Sequence, residues 1–359
     1  MMLKFEVFSK TINKNISFLE NNRTLNYIGE LENTQEWNPL PKSLSVDSRV
    51  MFIPFKPYVL GRTWSDFYGL HHVELSPDRT SVRFHTTDIS ASLPIYGGVD
   101  WKRFYGPCPC PNAKQAKIHV YEHDNSHSTS DYGLYLSNST DYFSLIDSDK
   151  NGCVVWAYSG AIESGYSLPD TLPNREGCLV FAHWDDLNYA IRLDEDRRIR
   201  IYNRTWSMTT VAQENRDVSL PIKLLAVTSS ANLPVSDPGL TLWNAKGNVM
   251  LSSDYPPVKV VEFFTLDFDR QGSDTIKLGS GDAAYLIPVC SSIGTMLMPL
   301  NVYRASNQGI SFSMGNNCVR VSQSAYFGDS GPGGNYQYTR ALWQIPEWQL
   351  PLLLVDDYF

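Results

Sequence analysis

The sequence is short of charge: Asp, Glu, Lys and Arg make up 19% of its 359 residues, and their sum is −8. An acidic balance with no basic face excludes the electrostatic footprint that phosphate backbones demand, so nucleic acid is not expected as a partner. No stretch approaches the ~18 consecutive apolar residues of a membrane span, so membrane insertion is not expected either. The opening Met1-Met2-Leu3-Lys4-Phe5 lacks a basic segment followed by a long apolar one, and no signal peptide is expected. Cysteine is sparse, at positions 108, 110, 153, 178, 290 and 318. In a chain made in the cytoplasm these six read as reduced, small core residues and not as a disulfide framework. Amphipathic helical periodicity is missing as well. Apolar positions recur at a spacing near two, and Gly and Pro interrupt at short intervals, which argues for strands.

What is present is a hairpin that recurs. In Pro238 to Leu251, Leu240 and Leu242 alternate with Thr241 and Trp243, Asn244 to Gly247 supply turn chemistry, and Val249 and Leu251 restart the period of two. Tyr132 to Asn138 followed by Phe143 to Ile146 begins a second such unit, and Leu3 to Phe8 followed by Asn15 to Leu19 a weaker third. The strands that follow line up too. Thr24–Leu31 and Arg49–Pro54 correspond to Cys153–Tyr158 and Gly177–Ala182, and to Val258–Phe263 and Ala283–Pro288. A hairpin-like pair comes next each time: 72–75 with 81–84, 189–193 with 199–202, and Met298 to Val302 with Ile310 and Phe312. Apolar closing strands follow at 117–121, 222–227 and within 342–355. Polar segments 122–131 and 228–237 read as linkers. The expected fold is therefore all-β, with three tandem antiparallel β-sandwich domains related as internal repeats, over residues 1–125, 126–232 and 233–359.

Several motifs look chemical. Gly328-Asp329-Ser330-Gly331-Pro332 resembles the nucleophile loop of chymotrypsin-like proteases, which also need a His base and a buried Asp. The tempting base, His183, falls in a different repeat, and Pro332 replaces the second Gly of that family. Asp147 to Gly152 matches half a calcium loop, but the twelfth position is Tyr158 where a bidentate Glu is required. Cys108 and Cys110, with His119, His123 and His127 downstream, lack the two-residue cysteine spacing of structural zinc sites. Asp185-Asp186 and Asp194-Glu195-Asp196 read as solvated turns and not as glycosidase carboxylates, which must flank a cleft from separate elements. No metal, cofactor or catalytic residue is expected, and the chain is not expected to be an enzyme. Aromatics make up 13% of the residues, and those near flexible segments are candidates for a binding surface: Trp101, Tyr105, Tyr336, Tyr338 and Trp343.

The signature Gly-Leu-x-Leu-Trp-Asn-x-x-Gly at Gly239 to Gly247, its degenerate partner at Gly133 to Asn138, and the strand end Leu251-Ser252-Ser253-Asp254 resemble a family of small tailed-phage proteins encoded among tail genes. The first repeat lacks the Gly-Leu pair and the Trp-Asn. The resemblance implies a structural virion protein, a minor tail or tail-tip component made in the host cytoplasm, and it transfers no catalytic residue. Expected partners are other virion proteins and further copies of the chain, with host-surface glycan or protein as a second class. Alternatives are a capsid decoration or head-fibre protein and, from another class, a carbohydrate-active or proteolytic enzyme.

Overall fold

The computed structural model describes residues 5–9, 11, 13–18, 23–32, 37–56, 58–60, 67–88, 103–105, 116–123, 152–207, 210–229, 233, 241–243, 249–266, 275–301, 304–330, 342–344 and 348–359. Among them the regular structure is antiparallel β-sheet, with short 3-10 turns at Arg175–Gly177 and Val355–Asp357 and no α-helix. The first repeat contains β1 (Phe5–Ser9), β2 (Lys14–Phe18), β3 (Arg23–Glu32), β4 (Asn38–Pro39), β5 (Arg49–Lys56), β6 (Tyr58–Leu60), β7 (Phe67–Leu75), β8 (Ser81–Asp88), β9 (Arg103–Tyr105) and β10 (Lys117–His123). The second has β11 (Gly152–Ile162), β12 (Tyr166–Ser167), β13 (Leu179–His183), β14 (Asp186–Leu193), β15 (Arg198–Asn203) and β16 (Leu220–Ser229). The third has β17 (Thr241–Trp243), β18 (Val249–Ser252), β19 (Lys259–Val260), β20 (Glu262–Thr265), β21 (Ile276–Lys277), β22 (Tyr285–Val289), β23 (Gly294–Asn301), β24 (Arg304–Gly315), β25 (Cys318–Ser330), β26 (Leu342–Gln344) and β27 (Gln349–Leu354).

One strand order is written three times. The closing strand lies between the first and middle strands in each repeat, as β3-β10-β5, β11-β16-β13 and β20-β27-β22. A short strand then joins the second strand of a hairpin, as β4-β8-β7, β12-β15-β14 and β21-β25-β24. A bulge at Ile28 in β3 recurs at Val155 in β11, opposite the closing strand in both cases. The closing strands read as apolar runs because they are covered on both faces: β10 is buried from Ile118 to His123, and β16 from Leu224 to Thr228. Polar residues inside β10 are kept by partners. Glu122 accepts from Ser45 N and Ser48 Oγ and pairs with Lys42 at 2.8 Å, while His119 meets Glu30 at 3.2 Å. That hydrogen bond, joined by Lys117, holds the Glu30 carboxyl at about 2 despite partial burial.

Three expectations need correction. The repeats are not three separate sandwiches, because their sheets run on into one another and their buried residues form one core. β13 pairs with β22, β14 with β24, and β19 with β3. The four larger sheets are arranged like a β-propeller. Each small sheet would otherwise end on a row of unpaired N–H and C=O groups, and the neighbouring repeat covers that row. Between the second and third repeats the seam is palindromic, β11-β16-β13 against β22-β27-β20 and β12-β15-β14 against β24-β25-β21, so these two meet as the halves of a two-fold pair do. The expected domain junctions at 125/126 and 232/233 fall on or beside residues outside those described. The second correction concerns the third repeat. β23 does pair with β24 as expected, but the equivalent of β7-β8 and β14-β15 is β24-β25, and β23 is an added strand between β24 and β26. The expected linkers also start too early: Glu122, His123, Thr228 and Ser229 belong to β10 and β16.

The opening hairpins form as expected at β1-β2 and β17-β18, each a detached two-stranded sheet; the second repeat's, at 132–146, lies outside the described residues. Thr11, in the turn of the first, hydrogen-bonds the carbonyl of Asp254 just past the third repeat's hairpin. All three repeats come within touching distance at Gly152. Its carbonyl accepts from Val258 N, and a Cβ placed on it would sit 2.6 Å from the Leu25 backbone oxygen. Gly152→Ala should therefore cost about 1–3 kcal/mol, read as a lower urea midpoint at unchanged slope, because backbone cannot yield as a flexible side chain can.

Candidate functional site

The start of β16 and the end of β13 run side by side, with His183 opposite Lys223, and the chain then turns through Trp184-Asp185 into β14. Between that turn, the Ser159-Gly160 part of β11 and the Val218 to Lys223 stretch opens a cleft of about 610 Å³, a size that suits a small ligand. Buried Trp184, Leu220 and Ile222 form its apolar base, and Trp184 is fixed by its Nε1–H donating to Tyr189 O at 3.0 Å. Half-buried His183, Asp186, Tyr189 and Lys223 and exposed Ser159 and Asp185 supply the polar wall.

The seam between repeats determines the state of His183. Its Nδ1 lies 3.0 Å from the carbonyl of Tyr285, at the start of β22. A carbonyl can only accept, so Nδ1 carries the proton and, in the neutral ring, Nε2 carries a lone pair. Burial pushes the His183 pKa below the ordinary histidine value, with Lys223 acting the same way and the Tyr285 bond and Asp185 opposing. The imidazole is thus neutral at neutral pH. Its contribution to stability is full above the ordinary histidine value and declines as pH falls below it, because the unfolded chain then takes up the proton first. Asp185 is positioned from the third repeat: its Oδ1 accepts from Asn316 N at 2.7 Å, in the β24-β25 turn where Asn316 and Asn317 have φ of 51° and 53°. Asp186 accepts from both nitrogens of Asn188 through Oδ1. Lys223 Nζ lies 5.5 Å from the Phe359 ring.

The motifs singled out in the sequence are dispersed or lie elsewhere. Ser330 ends β25 and His183 ends β13, in different sheets. Asp194 Oδ1 caps Arg198 N and Oδ2 pairs with Arg200 at 2.7 Å, which makes that acidic run a structural turn. Residues 147–151, Cys108, Cys110 and His127 lie outside the described residues, as do Trp101, Tyr336 and Tyr338. Tyr105 and Trp343 are in β9 and β26, with side chains outside the described set. Among the described residues no group of three His, Cys, Asp or Glu is arranged to hold a metal ion. What sequence reasoning passed over is Lys223, Tyr189 and Ser159; Lys223 is set opposite His183 by the register of β16 against β13, which no motif in the sequence marks. It also passed over Trp243, 58% exposed on the detached hairpin β17-β18.

A family described as a family of unknown function (DUF6453) matches residues 12–332, a stretch that runs through all three repeats. The chain belongs to that family. No curated protein and no solved structure matches it.

Proposed function

We propose that this chain is a structural protein of a tailed-phage virion, a minor tail or tail-tip component, with host-surface binding as its second role. The observation that carries the reading is the welding of three repeats by shared sheets over one core, a continuous block suited to assembly into a particle. The hairpin signature at Gly239 to Gly247 supports it, and the same hairpin presents Trp243, an aromatic of the type that anchors protein contacts. Mass spectrometry of purified particles from a phage encoding the chain should find it at a fixed low copy number relative to the tail tube protein. Absence from washed particles defeats the proposal, and a copy number matching the capsid shell transfers it to head decoration. The cleft around His183 favours an accompanying ligand-binding role.

A further inference from the structure

We infer that the cleft between β11, β13 and β16 is a binding site for an uncharged, polyhydroxylated ligand, a saccharide unit. The inference extends the host-surface part of the proposed function and names its ligand class. Among the described residues, Ser159 Oγ, His183 Nε2, the Tyr189 hydroxyl and Lys223 Nζ have no hydrogen-bonding partner, although all four residues line one cleft. Asp185 and Asp186 each commit one carboxylate oxygen to backbone or amide donors and keep the other. The wall thus offers donors (Lys223, Tyr189, Ser159) and acceptors (His183 Nε2, the two carboxylates) side by side. A sugar hydroxyl both gives and takes a hydrogen bond, so a ring bearing several of them satisfies such a mixed wall.

Charge selects against the alternatives. An anionic ligand meets two carboxylates and an imidazole whose neutral form is the favoured one, with Lys223 alone in its favour. A cationic ligand meets Lys223 and gains little net field from a wall summing to one negative charge. An apolar ligand would leave the whole wall without partners, which costs more than the cleft's base of Trp184, Leu220 and Ile222 returns. Tyr189 lines the same cleft, and an aromatic ring is the type of group that packs against the C–H side of a pyranose. The imidazole bond to Tyr285 matters here, because a ring held by Nδ1 keeps Nε2 as its acceptor and cannot turn without losing a hydrogen bond.

The test is saturation-transfer NMR on the full chain with methyl α-glucopyranoside, methyl α-galactopyranoside and N-acetylglucosamine as neutral probes, and N-acetylneuraminic acid as the charged one. The expected result is transfer to at least one neutral probe, weakened about tenfold in affinity by Asp186→Asn and by Lys223→Met. Melting temperatures serve as the fold control; if Lys223→Met lowers its own, Ser159→Ala, an exposed change, takes its place. No transfer to any neutral probe, preference for the acidic sugar, or equal transfer in both variants overturns the inference. Sugar binding by a chain absent from particles defeats the virion reading alone, and a particle-borne chain blind to all probes defeats this one alone.

Discussion

Replacing Trp348 with alanine is expected to remove about 3–5 kcal/mol of stability, the range for deleting a fully buried aromatic, and to do so in one cooperative transition. Trp348 is 1% exposed, its indole N–H donates to Ile293 O at 2.8 Å, and its own carbonyl accepts from Leu266 N. The alanine variant therefore leaves a cavity and an orphaned carbonyl together, and Trp348→Phe should recover most of the cavity loss but not the hydrogen bond. The single transition is the sharper part of the claim. Trp348 belongs to the third repeat, yet β22 beside it continues into β13 of the second, and β19 into β3 of the first. Far-UV circular dichroism and tryptophan fluorescence should report the same midpoint in urea for wild type and variant. Separate steps, with two thirds of the signal unmoved by the substitution, would mean that the seams do not couple the repeats.

The second large effect is expected at Arg197. The residue is 1% exposed at a second place where the three repeats meet, beside a small cavity lined by Ile53 and His119 of the first, Cys178 and Leu193 of the second, and Val289 and Ser291 of the third. Nη2 donates to the Cys178 carbonyl and lies 3.1 Å from Cys178 Sγ. Burial raises the Cys178 thiol pKa and the Arg197 charge partly opposes it. The arrangement repeats a device of the first repeat, where Arg79, also at the hairpin turn and also with positive φ (57° against 60°), donates Nη2 to the Ser48 carbonyl. In both, a left-handed turn bends an arginine back beneath the sheet to hold the segment that enters the middle strand. Arg197→Ala should cost about 3–5 kcal/mol, through an emptied site and an unpaired carbonyl at a backbone conformation alanine also resists. Arg197→Gly should be milder by about 1 kcal/mol, because glycine accepts that conformation without strain. Arg79→Ala, at a half-buried site, should cost no more than about 1–2 kcal/mol. Chemical denaturation of the three variants ranks them, and an Arg197 variant no worse than Arg79→Ala would show that the junction does not depend on the guanidinium.

Much of the fold could be read from residue pattern. The alternation of Ile191 and Leu193 with Arg192, and of Ile199 and Ile201 with Arg198 and Arg200, marks one buried face, and these became β14 and β15. The recurrence of strand order was visible for the same reason. The joining of the repeats was not, because a strand's apolar pattern shows that it is covered and not by what. β25 was illegible on other grounds. Ser322, Gln323 and Ser324 are polar and yet fully buried, and with Gln308 of β24 they violate the rule that polar residues mark the surface. For three of them the partners lie about a hundred residues away: Gln323 bonds Ser207 in both directions, Ser322 bonds Thr205 N, and Gln308 bonds Ala212 N, so the third repeat binds an irregular segment of the second through side chains. At the cleft, His183, Asp185 and Asp186 each drew notice singly. Their convergence with Lys223 depends on a register between strands forty residues apart, which composition and spacing do not encode.

The pairing of Lys259 and Val260 with Thr24 and Arg23 has a consequence for how the polypeptide is made. The outer edge of β3 leaves the ribosome 235 residues (259 minus 24) before the strand that covers it. At ~5–20 residues per second the wait is on the order of 10–50 s. Throughout that interval the newborn amino-terminal sheet carries a bare, pairing-competent rim, so the crowded polysome is the setting in which this protein is most exposed to misassembly with its own siblings.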